Sequence, residues 1–547
     1  MNFSSALRAL ALASALGLVL APGASAERVQ ITVLSTTDLH GHIFPVDYLA
    51  NRPSADGLAK LATLIQEARK TAPDLILVDS GDTIQGTPLA YYHNRLNNQP
   101  PDPMMLAMNA LRFDALAIGN HEYNFGREVL DKARHEADFP WLSGNTYRTG
   151  TDETAYAPYI IKTISGVRIG ILGLTTPGVP SWENPENYAG LEFRDPVVAA
   201  RHWVQVLRET EQVDLVVVPM HMGLEENLAT GQTTPGQVPM ENAAVAIARE
   251  VPGIDLILMG HTHREVPGVV IGGTLLAQAG RWGDHLIRAD LYVDRAEDGT
   301  CTVAAKTSRS LSITAATKAD PAILALAQPY HDETEAWLNQ PIGHSAAELS
   351  AADSRLHDTA IIDLIQRAQL DAGPADVSFT AAFNPSSRLP AGDITVREIA
   401  GLYVYENTLV TLELSGAQIK AALEHSARYF DPYVEGQSAA DLVSSQIPGY
   451  NFDIAEGVDY TIDITRPMGD RIVGLAYHGA PLDPAVKLRV AINNYRLNGG
   501  GGYTMFKDAP VLSRSSREIR DLIISWVEEH HDIPTEPNHN WRIVPMP

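Results

Sequence analysis

At 547 residues the chain is too long for one ordinary hydrophobic core, and 45% hydrophobic against 20% charged residues excludes a disordered chain. The formal net charge of −25 excludes nucleic-acid polymers and anionic membranes as partners, although a bound metal can reverse the field locally and admit a small phosphorylated substrate. The single cysteine, Cys301, excludes an intrachain disulfide and a thiolate metal site, which leaves His, Asp and Asn as ligands.

Residues 1–26 read as a signal peptide. Arg8 precedes or borders the apolar stretch "ALALASALGLVLAP", and Ala24 to Ala26 form an A-x-A cleavage signal. The apolar run is too short to span a bilayer, and no cysteine follows the cleavage point to carry a lipid. The expectation is a mature chain beginning near Glu27, periplasmic or secreted, without a stable membrane anchor, and monomeric.

Residues 27–318 read as one layered α/β domain. Short, β-branched-rich apolar runs open near an acidic residue and close on polar loops: "VQITVLSTTDLHGH", "DLILVDSGDT", "FDALAIGNHE", "DLVVVPMHMG" and "DLILMGHTH". Helical patterns lie between them. In "GLAKLATLIQEARK", Leu58, Leu61, Ile65 and Ala68 share one face. Strands that alternate with helices imply a sheet whose ligands collect beyond the strand carboxyl ends.

Those ends carry the chemistry. The first offers Asp38 and His40, the second Asp82, the third Asn120 and His121, the fourth His221, and the fifth His261 and His263. A single loop histidine is usually a surface residue. Five consecutive strand ends all bearing N and O donors form a metal-ligand pattern, suited to borderline divalent ions such as Zn, Mn or Co. Alternate residues leaving a strand point to the same side, so the D-x-H and H-x-H pairs are each expected to face one centre.

Residues 319–345 contain "ADPAILALAQPYHDETEAWLNQP", expected as a linker helix. Residues 346–547 form a second unit. There "REIAGLYVYENTLVTLELSG", "GVDYTIDI" and "VKLRVAINNYRL" read as strands of a mixed sheet, and "LSGAQIKAALEHSARYF" as a helix. "NGGGGY" is a turn rather than a phosphate loop, since no Lys-Ser/Thr follows it.

"DLHGH", "DSGDTIQGTP", "GNHEYNFG", "PMHMG" and "GHTHREVPG" resemble the five metal motifs of the calcineurin-like metallophosphoesterases. Motif order and the C-terminal unit narrow the resemblance to the 5′-nucleotidase family. "TTDLHGH", "GRWGDHL", "YNFDIAEGVDYTIDITRP" and "NHNWRIVP" resemble its branch of 2′,3′-cyclic-nucleotide 2′-phosphodiesterase/3′-nucleotidases. The resemblance implies a four-layer α/β/β/α catalytic domain, a C-terminal α+β domain, two divalent metal ions and a small nucleotide substrate. It implies that Asp38, His40 and His263 hold one ion, that Asn120, His221 and His261 hold the other, and that Asp82 bridges them. It gives His121 the task of contacting the phosphoryl group or protonating the leaving oxygen. Many 5′-nucleotidases carry Asp where this chain has Asn124, and the cyclic-nucleotide branch shares the Asn. An amide orients the ring but lacks the charge with which a carboxylate stabilises an imidazolium.

By the same resemblance, Tyr405 and Tyr495 sandwich the base, with Asn407 as a hydrogen-bonding partner; Tyr403 competes with Tyr405. The family's substrate-contacting Arg of "GGGIR" is replaced by Ser386, with Arg388 two residues on as a candidate substitute. Rotation of the domains about residues 319–345 is a further implication. The rival readings are a 5′-nucleotidase/UDP-sugar hydrolase on the same scaffold and a non-catalytic nucleotide-binding protein.

Overall fold

The apolar runs that close on polar loops build two sheets stacked face to face. The computed structural model describes residues 27–233, 238–405 and 407–546; the expected signal peptide lies outside them. In chain order the main elements of the first domain are β1 (Glu27–Thr36), α1 (Leu58–Thr71), β2 (Ile76–Asp79), α2 (Pro103–Ala110), β3 (Ala115–Ala117), α3 (Arg127–Glu136), β4 (Trp141–Leu142), β5 (Tyr159–Ile164), β6 (Val167–Leu172), α4 (Pro196–Gln205), β7 (Leu215–His221), α5 (Ala244–Glu250), β8 (Leu256–Met259), β9 (Glu265–Ile271), β10 (Thr274–Ala279), β11 (His285–Arg295) and β12 (Cys301–Ser312). The helix α6 (Pro321–Leu338) leads to β13 (Pro341–Ser345), α7 (Ala360–Ala372), β14 (Val377–Ala381), α8 (Val396–Ala400), β15 (Thr408–Ser415), α9 (Gly416–Ser426), β16 (Asp453–Glu456), β17 (Lys487–Asn493), β18 (Val511–Glu518) and α10 (Ile519–His530).

The first sheet runs β12-β11-β1-β2-β3-β4 and the second β9-β10-β8-β7-β6-β5. Their centres are parallel: β1, β2, β3 and β4 pair in parallel, as do β6, β7, β8 and β10. All four residues of β2, all four of β8 and all seven of β7 are buried, the signature of strands covered on both faces. Val29, Ile31 and Val33 of β1 meet Ile169, Val217 and Leu258 in the core between the sheets. Outside, Leu58, Leu61 and Ile65 of α1 cover the first sheet, and Ala200 of α4 and Ile247 of α5 cover the second. These are the four α/β/β/α layers. Because β1, β2, β3, β7 and β8 run the same way, their carboxyl ends share one edge.

The second domain holds a five-stranded sheet, β16-β14-β17-β15-β18. The expected helix at "LSGAQIKAALEHSARYF" is α9, opened by a capping box in which Ser415 and Gln418 answer each other. "REIAG" is a helix rather than part of a strand. Thr395 and Glu398 form a second capping box, and the 5-residue helix α8 follows it. Between the domains, α6 is docked rather than free. Tyr48 Oη lies 2.8 Å from His331 Nδ1, Gln66 donates to Asp320 at 2.6 Å, and Tyr330 Oη donates to Pro101 O at 2.6 Å. From the other side, the buried Arg397 donates to Glu335 of α6 at 2.7 Å and to the Tyr48 carbonyl.

The C-terminal "NHNW" anchors the last strand, residues 541–544, on three carboxylates. Asn538 N donates to Asp363 at 2.9 Å, His539 N to Asp358 at 2.7 Å, and the Asn538 side chain to Glu456 at 2.7 Å. Burial, then the charge of Asp358, pushes the Asp363 carboxyl up to about 7. The folded protein therefore holds this proton more tightly than the unfolded chain. The stabilisation is complete below the ordinary carboxylate pKa of 3.8 and is lost as pH rises through about 7. Urea unfolding midpoints are expected to fall between about pH 4 and about pH 7, and Asp363→Asn is expected to flatten that fall. An identical fall in both proteins would contradict the assignment.

Candidate metal centre and nucleotide cleft

Each predicted strand end delivers its side chains to the shared edge, but not by simple continuation of the strand. Asp38, His40, Asp82, His261 and His263 all have left-handed backbones, with φ of 50°, 48°, 59°, 71° and 54°. For non-glycine residues this is an uncommon, costly conformation that clusters at functional sites. Asp38, His40 and His263 gather in one group and Asp82, His221 and His261 in a second, each with its donor atoms within 4.8 Å of one another. The strand alternation that would let both histidines of H-x-H face one centre does not hold: His263 joins Asp38 and His40, and His261 joins Asp82 and His221, the division the family resemblance implies.

Distances across the groups are short. His263 Nε2 lies 3.1 Å from His40 Nε2 and 3.3 Å from Asp38 Oδ1. Asp82 stands between the groups, its Oδ2 2.9 Å from His221 Nε2 and 3.9 Å from His40 Nε2. The other ring nitrogens are committed to the protein. His221 Nδ1 donates to Ser80 O at 2.7 Å, and His40 Nδ1 to Gln85 O at 3.0 Å. That leaves each Nε2 facing the centre, the arrangement in which outer partners fix the ring orientation of ligating histidines.

Two buried atoms show that the residues fit metal ions. Asn120 Oδ1 has no hydrogen-bond partner, and His221 Nε2 faces only the Asp82 carboxylate, 2.9 Å away. A buried polar atom without a partner is costly, and an ion would satisfy both. The charge balance agrees. Burial pushes the His40 imidazole down to about 3, against the opposing charge of Asp82, so it is neutral and free to ligate. Burial also disfavours the His221 cation, but Asp82 and Asp38 outweigh it and raise the ring to about 10. Buried carboxylates that pull a proton onto a buried imidazole are a surplus of negative charge, which cations offset.

Glu122, which the sequence reasoning missed, holds the second and third strand ends together. Its carboxylate accepts from Asp82 N at 2.9 Å, Thr83 N at 2.5 Å and Gly119 N at 2.7 Å. Gly119 has to be glycine: a Cβ there would lie 2.3 Å from Asp82 Oδ1. The available signal was the "GNHE" string itself, with an acid two residues after the candidate ligand Asn120.

His121 sits beside this frame. Its backbone N–H donates to Asp82 Oδ1 at 2.8 Å, and its Nδ1 lies 2.6 Å from Asn124 Oδ1. Both residues line a cleft of about 790 Å³ that continues to Tyr405, Asn407 and Tyr495 of the second domain. Tyr405 is 44% exposed and meets the Phe383 ring edge-on at 5.2 Å. Gly500 lets Tyr495 lie close, since a Cβ there would be 2.5 Å from Tyr495 O. Beneath Tyr495, the buried Arg496 pairs with both oxygens of Asp453 at 2.7 Å. Tyr403 is fully buried, with Asn493 donating to its hydroxyl at 3.3 Å, and is core. Arg388 is not brought to the cleft. It is exposed and donates to Glu348 at 2.9 Å. Trp182, Glu183, Glu241 and Arg281 line the cleft without having been singled out by sequence.

Residues 31–265 match the calcineurin-like phosphoesterase model and residues 341–508 the 5′-nucleotidase C-terminal domain. A 2′,3′-cyclic-nucleotide 2′-phosphodiesterase/3′-nucleotidase of Haemophilus influenzae is 30% identical over 95% of this chain and 88% of its own length. The chain belongs to the calcineurin-like phosphoesterases of the 5′-nucleotidase family. As such it is a phosphoric ester hydrolase whose fold implies divalent metals. The Trifunctional nucleotide phosphoesterase protein YfkN of Bacillus subtilis is 29% identical over 95% of this chain, which spans 39% of that longer protein. A solved Staphylococcus aureus structure described as a 5′-nucleotidase superposes with a TM-score of 0.78 at 27% identity, covering 94% of this chain and 100% of the other. Among the described residues no helix is long and apolar enough to cross a membrane.

If Glu122 holds the ligand loops, Glu122→Gln leaves one loop N–H facing an amide hydrogen. Metal retention after dialysis, read by elemental analysis, is expected to weaken about 10- to 100-fold, the usual effect of losing an outer partner. Unchanged retention would contradict the role.

Proposed function

We propose that the protein is an exported phosphoesterase that opens 2′,3′-cyclic nucleotides to 3′-nucleotides and then releases phosphate from the 3′ position. The observation that carries this reading is the single cleft joining the His/Asp groups at one end to the Tyr405 and Tyr495 pair at the other. One ion would be held by Asp38, His40 and His263 and a second by Asn120, His221 and His261, with Asp82 between them. Bound there, two divalent ions lower the pKa of water and neutralise charge on both sides of an in-line displacement.

The chain's own residues do the rest. Tyr405 and Tyr495 stack on the base, and Asn407 stands at its edge, which fixes the ribose. The 2′,3′-cyclic and 3′ phosphates lie on the same ribose edge, so one docked nucleoside serves both steps. A 5′ phosphate lies on the other side of the sugar. As the P–O2′ bond breaks, the departing oxygen needs a proton. His121, held through Nδ1 by Asn124, gives that proton from Nε2 when the ring carries both protons, and regains it from solvent before the next step. The same group serves the 3′ oxygen in the second step. The Asn at position 124, the Ser at 386 and the similarity to the Haemophilus influenzae enzyme support this branch over a 5′-nucleotidase.

The test is a substrate panel. Removal of metal with EDTA is expected to abolish turnover, and Zn, Mn or Co to restore it. kcat/KM should be higher for 2′,3′-cyclic AMP and 3′-AMP than for 5′-AMP and UDP-glucose. Preference for 5′-AMP would establish the rival 5′-nucleotidase, and binding without turnover by the metal-loaded protein would establish a nucleotide-binding protein. Tyr405→Ala and Tyr495→Ala are each expected to raise KM roughly 5- to 150-fold, the worth of one lost base stack, with kcat little changed. An unchanged KM in both would remove the base site from these residues.

A further inference from the structure

Residues 179–187 of the first domain are tied to three places. The second domain holds their backbone: Asn494 Nδ2 donates to Trp182 O at 3.2 Å, and Asn498 Nδ2 donates to Ser181 O. In return, Asn184 Nδ2 donates to Ser515 O at 3.1 Å. Trp182 itself forms cleft wall, its ring 5.3 Å from His261. Between Trp182 and Asn184 lies Glu183, whose carboxylate is occupied on both oxygens: Oε1 accepts from Asn124 Nδ2, and Oε2 accepts from Asn187 Nδ2 at 2.9 Å. Asn124 in turn sets its Oδ1 2.6 Å from His121 Nδ1, and Arg95 donates to the Asn124 carbonyl at 3.0 Å.

The chemistry of this chain is one-directional. A carboxylate only accepts, so Asn124 must turn its NH₂ to Glu183 and its carbonyl to the ring. A carbonyl also only accepts, so His121 Nδ1 must carry a hydrogen. We propose that Glu183 is the positioning residue of the catalytic histidine. It fixes the Asn124 amide, which fixes the His121 tautomer and leaves Nε2 as the atom facing substrate. Asn494 neighbours the base-stacking Tyr495, so the docked second domain holds Glu183 where it can do this. The inference rests on the reading of His121 as the phosphate-facing histidine. It places a carboxylate one hydrogen bond beyond the amide that holds the ring.

The test joins a spectroscopic readout to turnover in the full chain. Long-range ¹H–¹⁵N spectra of the histidine rings, with His121 assigned by its loss in His121→Gln, should show one tautomer with the hydrogen on Nδ1. In Glu183→Gln the new amide can donate as well as accept, so Asn124 can flip. A second His121 tautomer should appear, and kcat should fall about tenfold or more with KM within about twofold. Asn124→Asp alone sets two carboxylates against each other and should also lower kcat. The double variant Asn124→Asp/Glu183→Gln puts one carboxylate beside the ring and should recover both the single tautomer and most of kcat. A single unchanged tautomer in Glu183→Gln, or a double variant no better than Asn124→Asp, would overturn the proposal. The tautomer is read without turnover. A wild-type protein inert on every substrate would therefore refute the phosphoesterase reading and still leave the spectra to decide the role of Glu183.

Discussion

The arrangement at the sheet edge depends on one interaction, the meeting of a fully buried carboxylate with buried imidazoles. Asp82 faces His221 at 2.9 Å and His40 at 3.9 Å, and it accepts the His121 backbone N–H. Placing these groups in a low-dielectric interior is unfavourable unless charges balance. The surrounding structure is spent on that balance. Glu122 receives three N–H groups and locks the loops that carry Asp82 and Asn120. Asn120 contributes a neutral oxygen with no partner among protein atoms. The left-handed turns at five of the residues aim their side chains at a common region that extended backbone would not reach. A pair of dications is the species that satisfies all of these at once.

The second constraint is that the two ends of the cleft, the His/Asp groups and the Tyr405 and Tyr495 pair, belong to different domains. Residues of both domains line the cleft, and α6 is held by both, through His331 and Asp320 on one side and Arg397 on the other. Residues 179–187 add a second tie, at the cleft wall itself. Strain, charge and domain docking therefore meet within a few residues of His121. Small changes in how the domains sit would reach the His121 ring through Glu183 and Asn124.

Much of this was legible in the sequence for a physical reason. Parallel strands buried on both faces have to be continuous apolar runs, so their ends stand out, and His, Asp and Asn at five such ends mark a centre. Helix α1 was legible from its four-residue apolar face. What could not be read was whatever the backbone turns decide. The H-x-H pair divides between two groups, and His261 and His263 both leave the strand in left-handed turns, so strand alternation does not describe where they point. "REIAG" forms a helix because the Thr395–Glu398 capping box outweighs its strand-like composition. Arg388 sits close to the family's Arg position in sequence, yet its side chain pairs with Glu348 at the surface. Glu183 was invisible because it lies 59 residues from Asn124 in the chain and no local pattern joins them.

The account's central claim is that one docked nucleoside presents the same ribose edge for two successive cleavages. A ³¹P NMR time course with 2′,3′-cyclic AMP on the metal-loaded protein tests it most directly. The account predicts that the cyclic signal gives way to 3′-AMP, which then decays to inorganic phosphate, with no 2′-AMP at any time. Accumulation of 2′-AMP, or a cyclic substrate left untouched while 5′-AMP is hydrolysed, would contradict it.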